Sequence, residues 1–217
     1  MNLKKEIPNW IIISLPFIYL AFVWSELPQT IPIHWNIDGE IDRYGSKISL
    51  FFISLLLPLS TYLILHFLPK IDPKKKMKKM GRKLASLKLL LTSVMSIIAI
   101  FIIYAAKHKT IGDPNYFLLL NGLLFTIIGN SMKTIPPNYF LGIKVPWTLE
   151  SETVWKATHK LGGVIWFVGG LIVILSSLIL PIKTSNTLFI IIISIMVIVP
   201  IAYSGILFRK LKRENTI

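Results

Sequence analysis

Four histidines, ten acidic residues and no cysteine make up the reactive inventory of this 217-residue chain. Two stretches bring such residues near one another. In the first, Glu26, His34, Asp38, Glu40 and Asp42 are interspersed with prolines, a tryptophan and a glycine. Their carboxylate oxygens suit Ca²⁺ or Mg²⁺, and a solvated acidic turn uses the same residues. The spacing is not that of an EF-hand, because Gly39 directly follows Asp38 and no distal glutamate closes the loop. In the second stretch, Asn138, Glu150, Glu152 and His159 supply acid–base groups if they converge in one pocket. His34, His66, His108 and His159 are dispersed, with no His-x₃-His pair, and no thiolate is available for zinc. Motifs of metalloproteases, serine hydrolases and phosphate-binding loops are missing from the sequence. The residues assign no catalytic group, no metal and no cofactor, and the chain reads as a non-enzyme.

Both stretches lie between apolar runs that must position them. Hydrophobic residues make up 53% of the chain, charged residues 16%, and mean hydropathy is +0.66. A soluble domain of this size cannot cover so much apolar surface, whereas a bilayer core of about 30 Å can. Six runs approach spanning length: Ile7–Trp24, Ile48–Leu68, Ala85–Ala106, Tyr116–Met132, Leu161–Leu180 and Leu188–Phe208. They predict helices, because a lipid-facing segment must satisfy its own backbone hydrogen bonds. The first run contains Pro16 and no clear small-residue cleavage site, so it reads as a retained span rather than a signal peptide. Pro58 and Pro200 interrupt two further runs. Asn121, Thr126 and Asn130 on the fourth run offer polar glue between helices, and His66 and Lys88 lie near run ends, where they are expected to snorkel.

The net charge of +14 is not spread evenly. Eighteen lysines and arginines fall at the N-terminus, in 69–84, in 133–160 and in the tail, against five in the alternate loops. This asymmetry predicts both termini inside and residues 26–47 outside, and the membrane context of the basic clusters argues against nucleic acid. The basic segment 70–83 suits anionic membrane lipid. The expected fold is an all-α integral membrane protein: one membrane domain over 1–217, six transmembrane helices, N-in/C-in. It has a structured outer loop after helix 1 and a short interfacial helix between helices 4 and 5. No inverted repeat is evident, which weakens a transporter reading.

Residues 129–163 are the most specific part of the chain. Pro136-Pro137 and Pro146 hold the backbone extended. Thr148 suits a cap for a helix beginning near Leu149, with Glu152 and Lys156 at favourable i,i+4 spacing. Trp147, Val154 and Leu161 recur every seven residues, which predicts a helix lying on the inner membrane face, and Pro146-Trp147-Thr148 is expected to seat it against the fourth and fifth spans. Gly129-Asn130, Pro137-Asn138-Tyr139-Phe140, Gly142-Ile143-Lys144, Pro146-Trp147-Thr148-Leu149, Val154-Trp155 and Thr158-His159-Lys160 together closely resemble the signature of the SdpI family, bacterial membrane proteins that confer immunity to a secreted peptide toxin. The family usually carries arginine where this chain has Lys144, which keeps the charge and loses the guanidinium fork.

Residues 26–47 strengthen the likeness. Leu27-Pro28, Ile31-Pro32, His34-Trp35-Asn36, Asp38-Gly39, Asp42 and Ser46-Lys47 resemble the uncharacterised N-terminal domain that accompanies the SdpI signature. Ile31–Trp35 suits a strand and Asp38-Gly39 a tight turn, so a small outer hairpin is expected. The resemblance implies an immunity protein of the bacterial cytoplasmic membrane, with a secreted peptide toxin and a cytoplasmic repressor as partners. Candidate recognition residues are then Pro32, His34, Trp35, Asp38, Gly39, Asp42 and Lys47 outside, with Asn130, Asn138, Gly142, Lys144, Pro146, Trp147, Thr148, Trp155 and His159 forming the inner signature. The outer loop is expected to sense, and the inner loop, through residues such as Lys144 and Trp155, to signal. A small-molecule or peptide transporter with a polar midplane cavity, and a membrane enzyme using the inner loop, remain the alternatives.

Overall fold

The computed structural model describes residues 4, 6–36, 40–73, 75–108, 114–214 and 216. Among these, the long helices are α1 (Ile7–Val23), α2 (Ile48–Ile71), α3 (Arg82–His108), α4 (Asn115–Met132), α6 (Glu152–Ile179) and α7 (Ile182–Arg213), with the five-residue α5 (Pro146–Glu150) between α4 and α6. An antiparallel hairpin, β1 (Thr30–Trp35) and β2 (Ile41–Ser46), interrupts the helical plan after α1. Among the described residues five helical segments are long and apolar enough to cross a membrane: Ile7–Glu26, which is α1 with the helical turn after it, and α2, α3, α6 and α7. The 18-residue α4 is not one of them, because Asn115, Asn121, Asn130 and two glycines dilute its apolar content. Large apolar side chains face outward along the long helices, among them Phe22, Ile179 and Ile206. That outward face has a solvent only if the helices lie in lipid.

The helices form two trios. α1, α2 and α3 pack on one another, α4, α6 and α7 form the second group, and α3 meets α4 between them. The connecting segments gather at the two ends of the helices. At one end, Glu6, the 72–80 segment and residues 133–160 come together. At the other lie the hairpin, the C-terminus of α3 and the α6–α7 turn. Ile31 of β1 is fully buried among Leu20, Val23, Leu27, Leu50, Ile103 and Ala106, which fixes the hairpin to the first trio. Glu26 pairs with Lys107 at 2.8 Å beside it.

Two expectations need correction here. The separate interfacial helix does not run from Leu149 through residue 160. Helix α5 ends at Glu150, the chain turns at Ser151, and Glu152 onward is continuous with the span to Ile179. The reason is local: Ser151 is extended, and its hydroxyl accepts the Val154 amide at 3.3 Å, so it starts a helix of its own. Lys88 and His66 do not snorkel. Lys88 is buried and donates to both carboxylate oxygens of Glu6, at 2.9 and 2.8 Å, and His66 stands 3.8 Å from the same carboxylate. Burial pushes the Glu6 carboxyl upward, but the Lys88 ammonium beside it more than offsets this, so the group is held below its ordinary value. Its contribution to stability is therefore present above the unfolded value of 4.5 and lost as pH falls through the lower folded value. Glu6→Gln should cost about 2 kcal/mol at neutral pH. Thermal melts of the two proteins in detergent should draw together as pH falls below 4.5 and converge below the lower folded value; a gap unchanged with pH would show that the ion pair does not form.

Candidate functional site

The inner signature folds as a hub in which nearly every polar atom is used. The side chain of Asn138 is fully buried. Its Oδ1 accepts the amides of Phe140 and Leu141, both at 2.7 Å, and its Nδ2 donates to the carbonyls of Pro136 and Leu141. This side chain holds a tight turn that the prolines alone do not specify. Gly142 follows at φ +110°, where an L side chain is strained and where a Cβ would collide with the His159 ring. The close approach lets the Ile143 amide donate to His159 Nε2 at 3.0 Å, so Nε2 is the acceptor and Nδ1–H donates to the Trp155 carbonyl at 2.8 Å. Trp155 is fully buried, stacked on His159 at 4.0 Å and 19°, and its indole N–H donates to the Ile135 carbonyl. Leu65, Leu68, Met77, Met80 and Leu84 of the first trio close over Trp155 and Ile135. Lys76 reaches Glu152 at 2.7 Å across the same seam.

Trp147 and Thr148 depart from their expected roles. Trp147 does not seat on the fourth and fifth spans. Its indole donates to Ser204 Oγ at 2.6 Å and its ring lies by Gly205, both on α7. Thr148 does not cap a following helix. Its hydroxyl lies 2.8 Å from the Ile143 carbonyl and accepts the Val145 amide at 3.1 Å, closing the start of α5 from within. Pro146 is the first residue of that helix, where its fixed φ costs nothing. Lys144 is exposed and donates to the carbonyls of Phe140 and Tyr139 at 3.0 and 3.4 Å. Separate carbonyls need a point charge with several donors rather than a planar fork, so lysine serves where the family has arginine. Asn130 is exposed on α4. Trp155 and His159 are both buried within the hub.

Three of the four candidate acid–base groups of this loop are engaged within the fold. Both ring nitrogens of His159 are engaged, Asn138 is turned into its own loop, and Glu152 is held by Lys76 and Lys156.

The opposite end carries the outer motif. Thr30 pairs with Ser46, Ile31 with Gly45, Pro32 with Tyr44, His34 with Arg43 and Trp35 with Ile41, with the register slipping on either side of His34. His34 Nδ1 lies 2.6 Å from Asp42 Oδ1, and Asn36 and Glu40 exchange hydrogen bonds near the hairpin end. The Lys47 ammonium sits 4.5 Å from the Trp24 ring centre and donates to its carbonyl. The acids Glu40 and Asp42 thus brace the hairpin. Asp38 and Gly39, the turn and the third acid, lie outside the described residues, as does the side chain of Trp35. Among the described residues no group of three histidines and acids stands close enough to hold a metal ion. Beneath the hairpin lies a cavity of about 420 Å³, walled by Ile31, Pro32, His34, Ile102, Phe117 and Phe189 among others. It is mostly apolar and lies at the hairpin end of the helices, unlike the polar midplane cavity of the transporter reading.

The sequence reading missed the glycines that let α4 and α6 touch. Gly122 and Gly129 on α4 meet Gly170, Phe167 and Gly163 on α6, while Gly162 and Gly169 face the inner loop and α7. The Gly-Gly pairs at 162–163 and 169–170, seven residues apart, were a legible signal for a close helix crossing.

Residues 134–204, which hold most of the hub and Ser204, match the SdpI/YfhL protein family. The chain carries the SdpI/YfhL segment. Residues 11–57, with the hairpin, match a domain of unknown function, DUF1648. Over 175 residues, 79% of this chain and 80% of the relative, the chain is 26% identical to the Immunity protein SdpI of Bacillus subtilis (strain 168). A 57-residue stretch is 35% identical to an uncharacterized protein of Archaeoglobus fulgidus, covering 26% of this chain and 31% of that one. No solved structure matches. The SdpI/YfhL segment and the five long apolar helices together identify a multi-pass protein of the cell membrane.

Proposed function

We propose that the chain is an SdpI-like immunity protein that protects a bacterial cell from a secreted peptide toxin. The observation that carries this is the extent of the likeness: it covers 79% of the chain, and separate family matches fall on the inner motif, 134–204, and on the hairpin, 11–57. The closed chemistry of the hub supports binding rather than catalysis, because its histidine and asparagine serve the fold. In this reading α4 completes a set of six spans with both termini inside, as the basic asymmetry favours. The hairpin then faces the side from which a secreted peptide arrives. Lys75, Lys78, Lys79, Lys133 and Lys144 form an exposed inner surface suited to anionic lipid or to an acidic face of a cytoplasmic repressor.

Expression in a toxin-sensitive Gram-positive host, challenged with a panel of secreted peptides, should raise survival against at least one of them. Cysteines introduced one at a time into this cysteine-free chain report sidedness in the same cells. Arg43→Cys should react with an impermeant maleimide and Lys78→Cys should not. Normal membrane abundance with no protection against any peptide overturns the immunity reading, and the reverse labelling pattern overturns the topology.

A further inference from the structure

The outer cavity belongs to neither helix trio alone. Ile31 and His34 come from the hairpin and Ile102 from α3, whereas Phe117 and Phe189 come from α4 and α7. At the inner end the same seam is sealed by Trp155, Ile135, Met77 and Met80. At the outer end it opens into about 420 Å³, a volume within the range of ligand sites, roughly 300–1,000 Å³. Most of the wall is hydrocarbon; its polar side chains are His34 and Asn36 of the hairpin, bonded to Asp42 and Glu40, and Asn186 of α7. Both carboxylates are exposed. The ends of the protein also differ in charge. The outer loops hold five acidic and five basic residues, so the whole excess of +14 lies at the inner end or within α3. A cationic ligand is repelled by the inner surface and meets no such field at the hairpin.

The geometry points to a cationic amphipathic peptide as the occupant of this cavity, with one or two apolar side chains between the trios and a lysine or arginine against Glu40 and Asp42. An apolar pocket alone fits many ligands; the exposed acids bonded to its lining residues His34 and Asn36 favour a cation joined to a hydrocarbon group. This rests on the immunity reading only in assuming that the peptide arrives from outside.

The test uses the full chain in phosphatidylcholine nanodiscs and a dansyl-labelled Leu/Lys amphipathic peptide, with empty nanodiscs as baseline. Wild type should bind the probe saturably with a blue-shifted emission. Ala105→Phe, which places a ring in the cavity from a buried wall position, should weaken binding at least tenfold. Glu40→Lys should weaken it severalfold at low salt and less at high salt. If Ala105→Phe fails to fold, Phe117→Ala carries the test, because that side chain is half exposed and its loss opens the wall without overpacking. Wild type that does not bind, or variants that bind equally, would overturn the site. Mass spectrometry of the purified protein covers the rival occupant: a phospholipid retained by wild type and released by Ala105→Phe, with peptide binding unchanged, makes this a lipid site and overturns the proposal. Survival assays separate the two readings. Probe binding lost in Ala105→Phe while wild type gives no protection leaves the site standing and removes immunity. Full protection by Ala105→Phe at matched abundance does the opposite.

Discussion

Trp155→Ala should remove most of the folded protein from detergent extracts. The indole is wholly buried, stacked on His159 and bonded to the Ile135 carbonyl, and the methionines and leucines of the first trio pack against it. Deleting a buried aromatic side chain costs about 3–5 kcal/mol, and the orphaned carbonyl adds about 1–3 kcal/mol. Either figure is a large fraction of the stability of an ordinary domain. Trp155→Phe keeps part of the stack and loses the hydrogen bond, so it should fall between the two. A double-mutant cycle with His159→Ala should show strong coupling, because each ring is the other's wall. Melting temperatures and folded yield at matched expression decide the matter. If Trp155→Ala melts like wild type and only protection is lost, the ring is a partner contact and the hub is not what joins the trios.

Much of this was legible in the sequence because the signals are local. Length and hydropathy placed the six apolar runs near α1, α2, α3, α4, α6 and α7, and an Ile31–Trp35 strand followed by a turn signal gave the hairpin. Proline and tryptophan density marked residues 129–163 as more than a connector. What escaped was long-range. Nothing near Lys88 points to Glu6, 82 positions earlier, so it read as a snorkelling lysine rather than half of a buried pair. Nothing near Trp147 names Ser204. Ser151 was a cap signal hidden by the stronger-looking Thr148, which bonds backward instead. The buried state of Trp155 was equally invisible, since a tryptophan at a helix start suits a membrane interface as well as a core.

The glycine pairs give the sharpest ranking, because three substitutions of one kind should have three different outcomes. At Gly129 an added Cβ meets backbone: Phe167 Cα and the Trp166 carbonyl carbon, each at 2.8 Å. Neither can turn aside as a side chain does, so the α4–α6 crossing must widen along its length. Gly129→Ala should therefore exceed the about 1–3 kcal/mol of ordinary overpacking and leave little folded protein. At Gly169 the nearest atom is Met196 Sδ at 2.9 Å, the flexible end of a thioether, and Gly169→Ala should cost less than about 1.5 kcal/mol. At Gly205 the new methyl finds the Trp147 ring at 3.5 Å, an ordinary contact, while the helix gains the roughly 0.5–1 kcal/mol by which alanine exceeds glycine. Gly205→Ala should be neutral or stabilising. Unfolding of the three variants by graded SDS in mixed micelles reads the order directly. Equal tolerance of Gly129→Ala and Gly205→Ala would mean that α4 and α6 do not touch backbone to backbone, and the second trio would have to be rebuilt around a wider crossing.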